Sequence, residues 1–308
     1  MATKKNSWPE LNFADYKDTV FLLHQWIQVA GKVREKLSPW ENHSWNVALY
    51  VDTQGLTTGP IPYENGVFEI KFDFTLHELK LRTSNGTRDH FPLGGQSVAS
   101  FYEQLTEKLK YLGINVRINS TPVGMQQAIP FEKNTSRIPY LPNETKMLWK
   151  AMIQIQNVLN VFRSGFIGKQ SPVQLFWTTF ELSHGRFSGK TAPEYEGQIP
   201  HVSKKVLKEA FSHEFFEFGF SPGNELNPEP LFYTYCYPNH IQFGKSTVQP
   251  SEVLWDENLK RFQLPYRIIQ SASNPSESLL HFLQSTYEAA ANAGKWERKE
   301  LEPGFSST

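Results

Sequence analysis

Residues 67–74 read Val-Phe-Glu-Ile-Lys-Phe-Asp-Phe, and residues 76–82 read Leu-His-Glu-Leu-Lys-Leu-Arg. In the first run Phe68, Ile70, Phe72 and Phe74 take every second place, and Glu69, Lys71 and Asp73 fill the gaps. A period of two belongs to a strand, whose side chains alternate between faces. One apolar and one charged face mean an antiparallel sheet with one side on a core and the other toward water, and they argue against a parallel sheet buried on both sides. The two runs are spaced as a hairpin. Pairing Lys71 with Glu78 and Glu69 with Lys80 sets opposite charges across the strands, each pair worth about 0.2–1 kcal/mol, and leaves residues 73–76 as the loop.

Helical spacing flanks this sheet. Over residues 13–36, Val20, Leu23, Ile27, Gly31 and Arg34 share a face, with Trp26, Val29 and Val33 beside them. Residues 44–52 read as a strand. Residues 97–114 form an amphipathic helix with a stop at Gly113, and Asn115–Ile118 reads as one more strand. Prolines at 122, 130, 139 and 142 mark a linker over 121–143. A second helix spans about 144–162. Strands follow around 171–182, 211–220, 231–237 and 261–266, and a helix over 276–294 closes the pattern. The strands of this half are apolar on both sides, so that sheet should be the more buried.

Both halves therefore read helix, antiparallel strands, helix. A shift of 126 residues aligns Ile27 with Ile153, Val47 with Val173, Leu49 with Leu175 and Gly59 with Gly185. The closing helices align at a shift of 181, so the second half carries 181 − 126 = 55 extra residues. The expected architecture is α+β: a first half over 1–120, the linker 121–143, and a second half over 144–308 with an insertion at about 185–230. An internal duplication would account for the pattern.

The 308 residues carry 31 basic and 31 acidic side chains, which gives no support to nucleic-acid binding. A hydrophobic fraction of 39%, with 14% aromatic residues, is ample for a core. Cys236 stands alone, so neither an intrachain disulfide nor a multi-cysteine metal site is available. No apolar run suggests a membrane span or a leader, and a cytoplasmic address is the expectation. No cofactor or metal is expected, and the oligomeric state is left open.

Several motifs come close to known chemistry. Gly185-Arg-Phe-Ser-Gly189-Lys190-Thr191 resembles a phosphate loop, but three residues rather than four separate its glycines. The following Ala-Pro-Glu-Tyr-Glu-Gly cannot begin the helix whose N-terminus would face a phosphate. A turn with a basic rim of Arg186 and Lys190 is expected instead. His213-Glu214 lacks the second histidine of a zinc-protease helix, since position 217 is glutamate. Tyr233, Tyr235 and Tyr237 share one strand face, with Cys236 on the other. No Gly-x-Ser-x-Gly elbow occurs.

Six segments, among them Ser-Trp-Pro-Glu-Leu-Asn-Phe from residue 7, Arg-Phe-Ser-Gly-Lys-Thr-Ala-Pro from 186 and Phe-Ser-His-Glu-Phe-Phe-Glu-Phe-Gly-Phe from 211, resemble in order a family of bacterial proteins classed as a domain of unknown function. The resemblance covers about residues 8–296. It implies a bacterial intracellular protein and supplies no activity or site residue.

The expected function is a small-molecule pocket in the second half. His213 and Glu214 would be the catalytic pair, with His184, Arg186, Lys190, Tyr233 and Tyr235 binding the ligand. His184, Arg186, His213 and Glu214 should converge on one cavity, because buried charges persist only when paired or facing a wet pocket. His213 is favoured over Glu214, because neighbours on a strand face opposite ways. The rival is a non-catalytic interaction or assembly module with an exposed aromatic surface.

Overall fold

The computed structural model describes residues 8–125, 128–198, 202–224 and 227–303. Helix α1 (Phe13–Leu37) leads into a six-stranded antiparallel sheet: β1 (Tyr50–Val51), β2 (Gly55–Thr57), β3 (Ile61–Tyr63), β4 (Gly66–Asp73), β5 (Glu78–Thr83) and β6 (Arg88–Pro92). Helix α2 (Val98–Tyr111) follows, capped at Ser97, whose hydroxyl accepts from Ser100 N. The second half opens with α3 (Pro142–Ser164). It continues with β7 (Gln174–Phe176), β8 (Glu181–Thr191), α4 (Lys204–Ala210), β9 (His213–Ser221), β10 (Leu231–Tyr237), α5 (Ile241–Gly244), β11 (Leu254–Asp256), β12 (Arg261–Pro265) and α6 (Tyr266–Ser271). Helices α7 (Pro275–Ala293) and α8 (Arg298–Leu301) close it.

The α+β class holds, with two antiparallel sheets. The first has the order β1-β2-β4-β5-β6, with β3 also on β4, and the second the order β11-β12-β10-β9-β8-β7. From β1 and from β7 outward each sheet begins as an antiparallel meander, but the first keeps chain order to β6 whereas the second ends β10-β12-β11, out of chain order. The meanders meet edge to edge: Leu49 N donates to Leu175 O (3.0 Å) and Leu175 N to Leu49 O (2.8 Å).

Helices cover one side of each sheet. Phe101 of α2 stacks between Trp26 (5.0 Å) and Phe72 (6.0 Å) in the first half. In the second, Phe162 of α3 and Tyr287 of α7 pack edge-on against Phe216 of β9. Helix α1 is buried almost without a break from Thr19 to Arg34, because second-half residues cover what would otherwise be its outer face. Its glycine serves that contact: a Cβ on Gly31 would lie 2.3 Å from the Trp177 ring.

The structure corrects several expectations. The β4–β5 register sets Lys71 opposite Lys80 and Asp73 opposite Glu78, with residues 74–77 as the loop. Like charges face each other because the turn chemistry outweighs them. Asp73 Oδ1 accepts from Thr75 N (2.8 Å) and Leu76 N (2.9 Å), and its Oδ2 takes Lys80 Nζ diagonally at 2.6 Å. Lys71 turns away to Asp52 (2.5 Å).

The expected strand over 44–52 is cut to two residues by a short 3-10 segment, Asn42–Val47, in which His43 and Ser44 hold φ 57°. Asn115–Ile118 forms no strand, although Val116 and Ile118 pack on the core. The proline-containing stretch is packed as well: Gln28 bonds both the N–H and the carbonyl of Val123, and Phe131 is fully buried. The expected basic-rimmed turn lies within β8, an eleven-residue strand with an irregular register between Phe187 and Thr191. The second sheet's uncovered face is not apolar; it carries glutamate and tyrosine.

Candidate functional site: a glutamate–tyrosine face on the second sheet

Three neighbouring strands build the site. Ser183, Gly219 and Tyr233 stand in one row across β8, β9 and β10, and Gly185, Glu217 and Tyr235 in the next. Alternation puts all six on the face away from α3 and α7. Gly219 permits the key placement. A Cβ there would fall 2.0 Å from Tyr233 Cζ, so only glycine lets the ring lie across β9. The Tyr233 hydroxyl thereby reaches β8 and donates to Glu181 Oε2 at 2.9 Å. Tyr235 donates to Glu217 Oε2 at 3.4 Å. Arg261 of β12 stacks over the Tyr233 ring, 4.6 Å from its centroid.

Both carboxylates are partly exposed, whereas Tyr233 and Ser183 are buried. Desolvation pushes the Glu217 carboxyl up to about 7; the Ser183 hydroxyl opposes this, the Glu181 charge adds to it, and Tyr235 opposes it. Glu181 is also raised by desolvation, against the hydrogen bonds of Tyr233 and Thr179 and the charge of Arg261. Desolvation and the two carboxylates drive both tyrosines well above their ordinary range, so they remain hydrogen-bond donors. The face thus offers two acids, one titrating near neutrality, fixed by phenol donors. That arrangement suits binding a cation or exchanging a proton.

The expected residues are divided between the two faces of the sheet. Tyr233 and Tyr235 are in the site. His213 lies on the same face but farther along, with its ring 5.9 Å from that of His43. His184 and Arg186 point the other way, into the core beneath α3 and α7, so one cavity cannot gather His184, Arg186 and His213.

His184 is fully buried and donates from Nδ1 to Ser171 O (3.1 Å). Desolvation, then the charges of Arg186 and Arg163, depress it to about 3. The Arg186 guanidinium carbon lies 3.4 Å from the Phe162 ring centre and 4.3 Å from that of Tyr287, and its Nη2 donates to the Phe162 carbonyl. Desolvation lowers it to about 10. Glu214 accepts from Ser188 Oγ (3.0 Å) on the face opposite His213. Lys190 Nζ donates to the carbonyls of Gly294 (3.2 Å) and Lys295 (2.8 Å), closing the C-terminal end of α7.

Glu181 was missed in the sequence, and Glu217 entered only as the glutamate that breaks the zinc-protease pattern. The available signal was a glutamate on the tyrosine-bearing parity of strands that also carry glycines at 185 and 219. Among the described residues no three His, Cys, Asp or Glu side chains are grouped to hold a metal, and no helix is long and apolar enough to cross a membrane.

Fold and site together define an α+β protein of two joined antiparallel meanders with a polar, aromatic face on the second. The chain belongs to a family of unknown function, DUF5996, whose sequence model matches residues 8–303. No curated protein and no solved structure matches it.

Proposed function

We propose that this protein binds a small organic cation, an amine-bearing molecule, on the glutamate–tyrosine face of β8, β9 and β10. The observation that carries this is the pairing of Glu181 with Glu217. Among the described residues neither makes an ion pair; their direct partners are hydroxyl groups. Arg261 acts on Glu181 through its charge without forming an ion pair, so a bound ammonium group supplies the direct counter-charge, and the tyrosine rings add cation–π attraction. Binding favours ionised Glu217, so the ligand releases a proton near neutral pH. The same carboxyl is placed to act as a general acid or base on that ligand. We read the two halves as copies of one helix–sheet–helix unit; the meander with which each sheet begins and the spacing 175 − 49 = 126 of the bridging leucines support this, and the exchanged order of β11 and β12 is a departure in the second copy.

The test is isothermal calorimetry with 1,4-diaminobutane and a panel of free amino acids, in two buffers of different ionisation enthalpy. Binding that releases a proton in the wild type and weakens at least tenfold in Glu217→Gln and Glu181→Gln is the expected result. Absence of binding at millimolar concentration, or undiminished binding by both variants, overturns the reading and favours the interaction-module alternative.

A further inference from the structure

A second cluster, separate from the glutamate–tyrosine face, lies where the two halves meet. Lys169 stands between α3 and β7, and its carbonyl accepts from Phe187 N (2.9 Å), which ties it to β8. Its Nζ donates to His43 Nε2 at 2.7 Å and lies 4.9 Å from the Phe187 ring centre and 5.6 Å from that of Trp45. His43 is buried and held on three sides. Its backbone N–H reaches both carboxylate oxygens of Glu209 at 2.9 Å, its Nδ1 meets Ala210 O at 3.0 Å, and its ring packs on Phe187 at 4.6 Å. A carbonyl oxygen can only accept, so Nδ1 carries the proton and Nε2 presents a lone pair to the lysine. The backbone takes up a left-handed conformation to achieve this, with φ 57° at His43 and at Ser44.

We infer that Lys169 is a nucleophilic amine that takes an aldehyde or ketone as an imine, with His43 Nε2 as the proton acceptor. The Nζ lone pair attacks the carbonyl carbon, and His43 accepts the ammonium proton. His43 returns that proton to the alkoxide oxygen, giving the carbinolamine, and then carries the second N–H proton to the hydroxyl, which departs as water as the C=N bond forms. Amine and carbonyl thus yield imine and water, and no other reactant is consumed. Trp45 and Phe187 supply apolar walls, which suit an aromatic or otherwise hydrophobic carbonyl compound.

The groups facing the amine are His43, His213 beyond it, and Glu209 of α4. Desolvation lowers the Lys169 ammonium, against the pull of Glu209. It lowers His43 too, with Lys169 and His213 adding to the effect and Ala210 and Glu209 opposing it. Lys32 is depressed as well, but it is buried, whereas Lys169 is open to solvent.

Full-length protein is treated with a limiting amount of 4-hydroxybenzaldehyde and cyanoborohydride between pH 6 and 9, digested, and mapped by mass spectrometry. The expected result is benzylation of Lys169 at least tenfold faster than of the exposed Lys260 at pH 7.5, with its rate rising at lower pH than that of Lys260. His43→Asn, which tolerates the left-handed backbone but lacks Nε2, should bring the Lys169 rate down to that of Lys260. Equal rates in the wild type overturn the proposal, and so does an unchanged Lys169 rate in a folded His43→Asn protein. If that variant does not fold, the wild-type rate ratio and pH profile decide.

Discussion

Leu49 and Leu175 exchange both of their backbone hydrogen bonds and thereby join the first edge of one sheet, at β1, to the first edge of the other, at β7. Both residues are fully buried. The junction draws α1 into contact with the second half: His24 Nε2 donates to Trp177 O (3.0 Å), and Tyr16 Oη donates to Pro222 O (2.9 Å). The halves differ in strand order at the far edge of the second sheet, where β12 lies between β10 and β11, yet they share one core.

Gly31 tests how tightly that shared core is closed. A methyl group there meets the Trp177 ring at 2.3–2.5 Å, and a buried indole cannot swing aside without moving its neighbours. Gly31→Ala should lose about 1–3 kcal/mol in urea denaturation, despite alanine's better helix propensity. Adding Trp177→Leu should make the alanine nearly harmless relative to that single variant. Additive losses in the double mutant would show that the contact is not the cause.

Asp73 tests the hairpin register. Burial alone would raise its pKa, but the hydrogen bonds from Lys80, Thr75 and Leu76 outweigh that and hold it at about 2. A carboxyl depressed below its unfolded value adds stability above about pH 4 that is lost as the pH falls toward 2. Asp73→Asn should be less stable by about 2 kcal/mol at pH 7, and the gap should close by pH 2. Denaturation curves at pH 7, 4 and 2.5 measure it, and a gap independent of pH would count against the charge.

The alternating apolar pattern made β4 and β5 legible from the residues, and the aromatic runs did the same for β9 and β10. Register was not legible. It depended on Asp73 capping its own turn, a local bond worth more than the cross-strand charges that favour Lys71 with Glu78. The basic character of Arg186 and Lys190 suggested a ligand rim, yet one cation is boxed by aromatic rings and the other closes a helix end. Sequence shows that a group is charged but not which face it takes when its strand is apolar on both parities. The common face of Tyr233 and Tyr235 was legible because period two is local. Glu181 was not, because its contact with Tyr233 spans 52 residues and depends on the missing side chain at Gly219.

Arg186 separates a structural cation from a ligand-binding one. It is buried, its Nε has no hydrogen-bond partner among the described residues, and rings of α3 and α7 surround it. Replacing a buried charge by an apolar side chain of similar volume is often neutral or stabilising. Arg186→Met should therefore fold with stability within about 1 kcal/mol of the wild type, or above it, and bind amines unchanged. A loss of more than about 3 kcal/mol would instead show that the hydrogen bond to Phe162 O and the cation–π contacts outweigh the desolvation cost.

Glu217 ties stability to pH in the opposite sense to Asp73. Its folded pKa, about 7, lies above the ordinary 4.5, because desolvation and the neighbouring Glu181 disfavour the ionised form. The unfolded chain ionises first as pH rises. The protonated carboxyl therefore contributes stability that is fully present below about pH 4.5 and is lost as pH climbs through 7. At 1.36 kcal/mol per unit the loss is at most about 3 kcal/mol, and less in so far as water reaches the half-exposed carboxyl. Glu217→Gln remains neutral throughout. The difference in unfolding free energy, variant minus wild type, should grow in favour of the variant from pH 5 to pH 8 and then level off. Urea denaturation of both proteins at half-unit steps measures this difference and cancels the titrations they share. A flat difference would mean that Glu217 ionises in its ordinary range, and the site would then lack a proton donor at neutral pH.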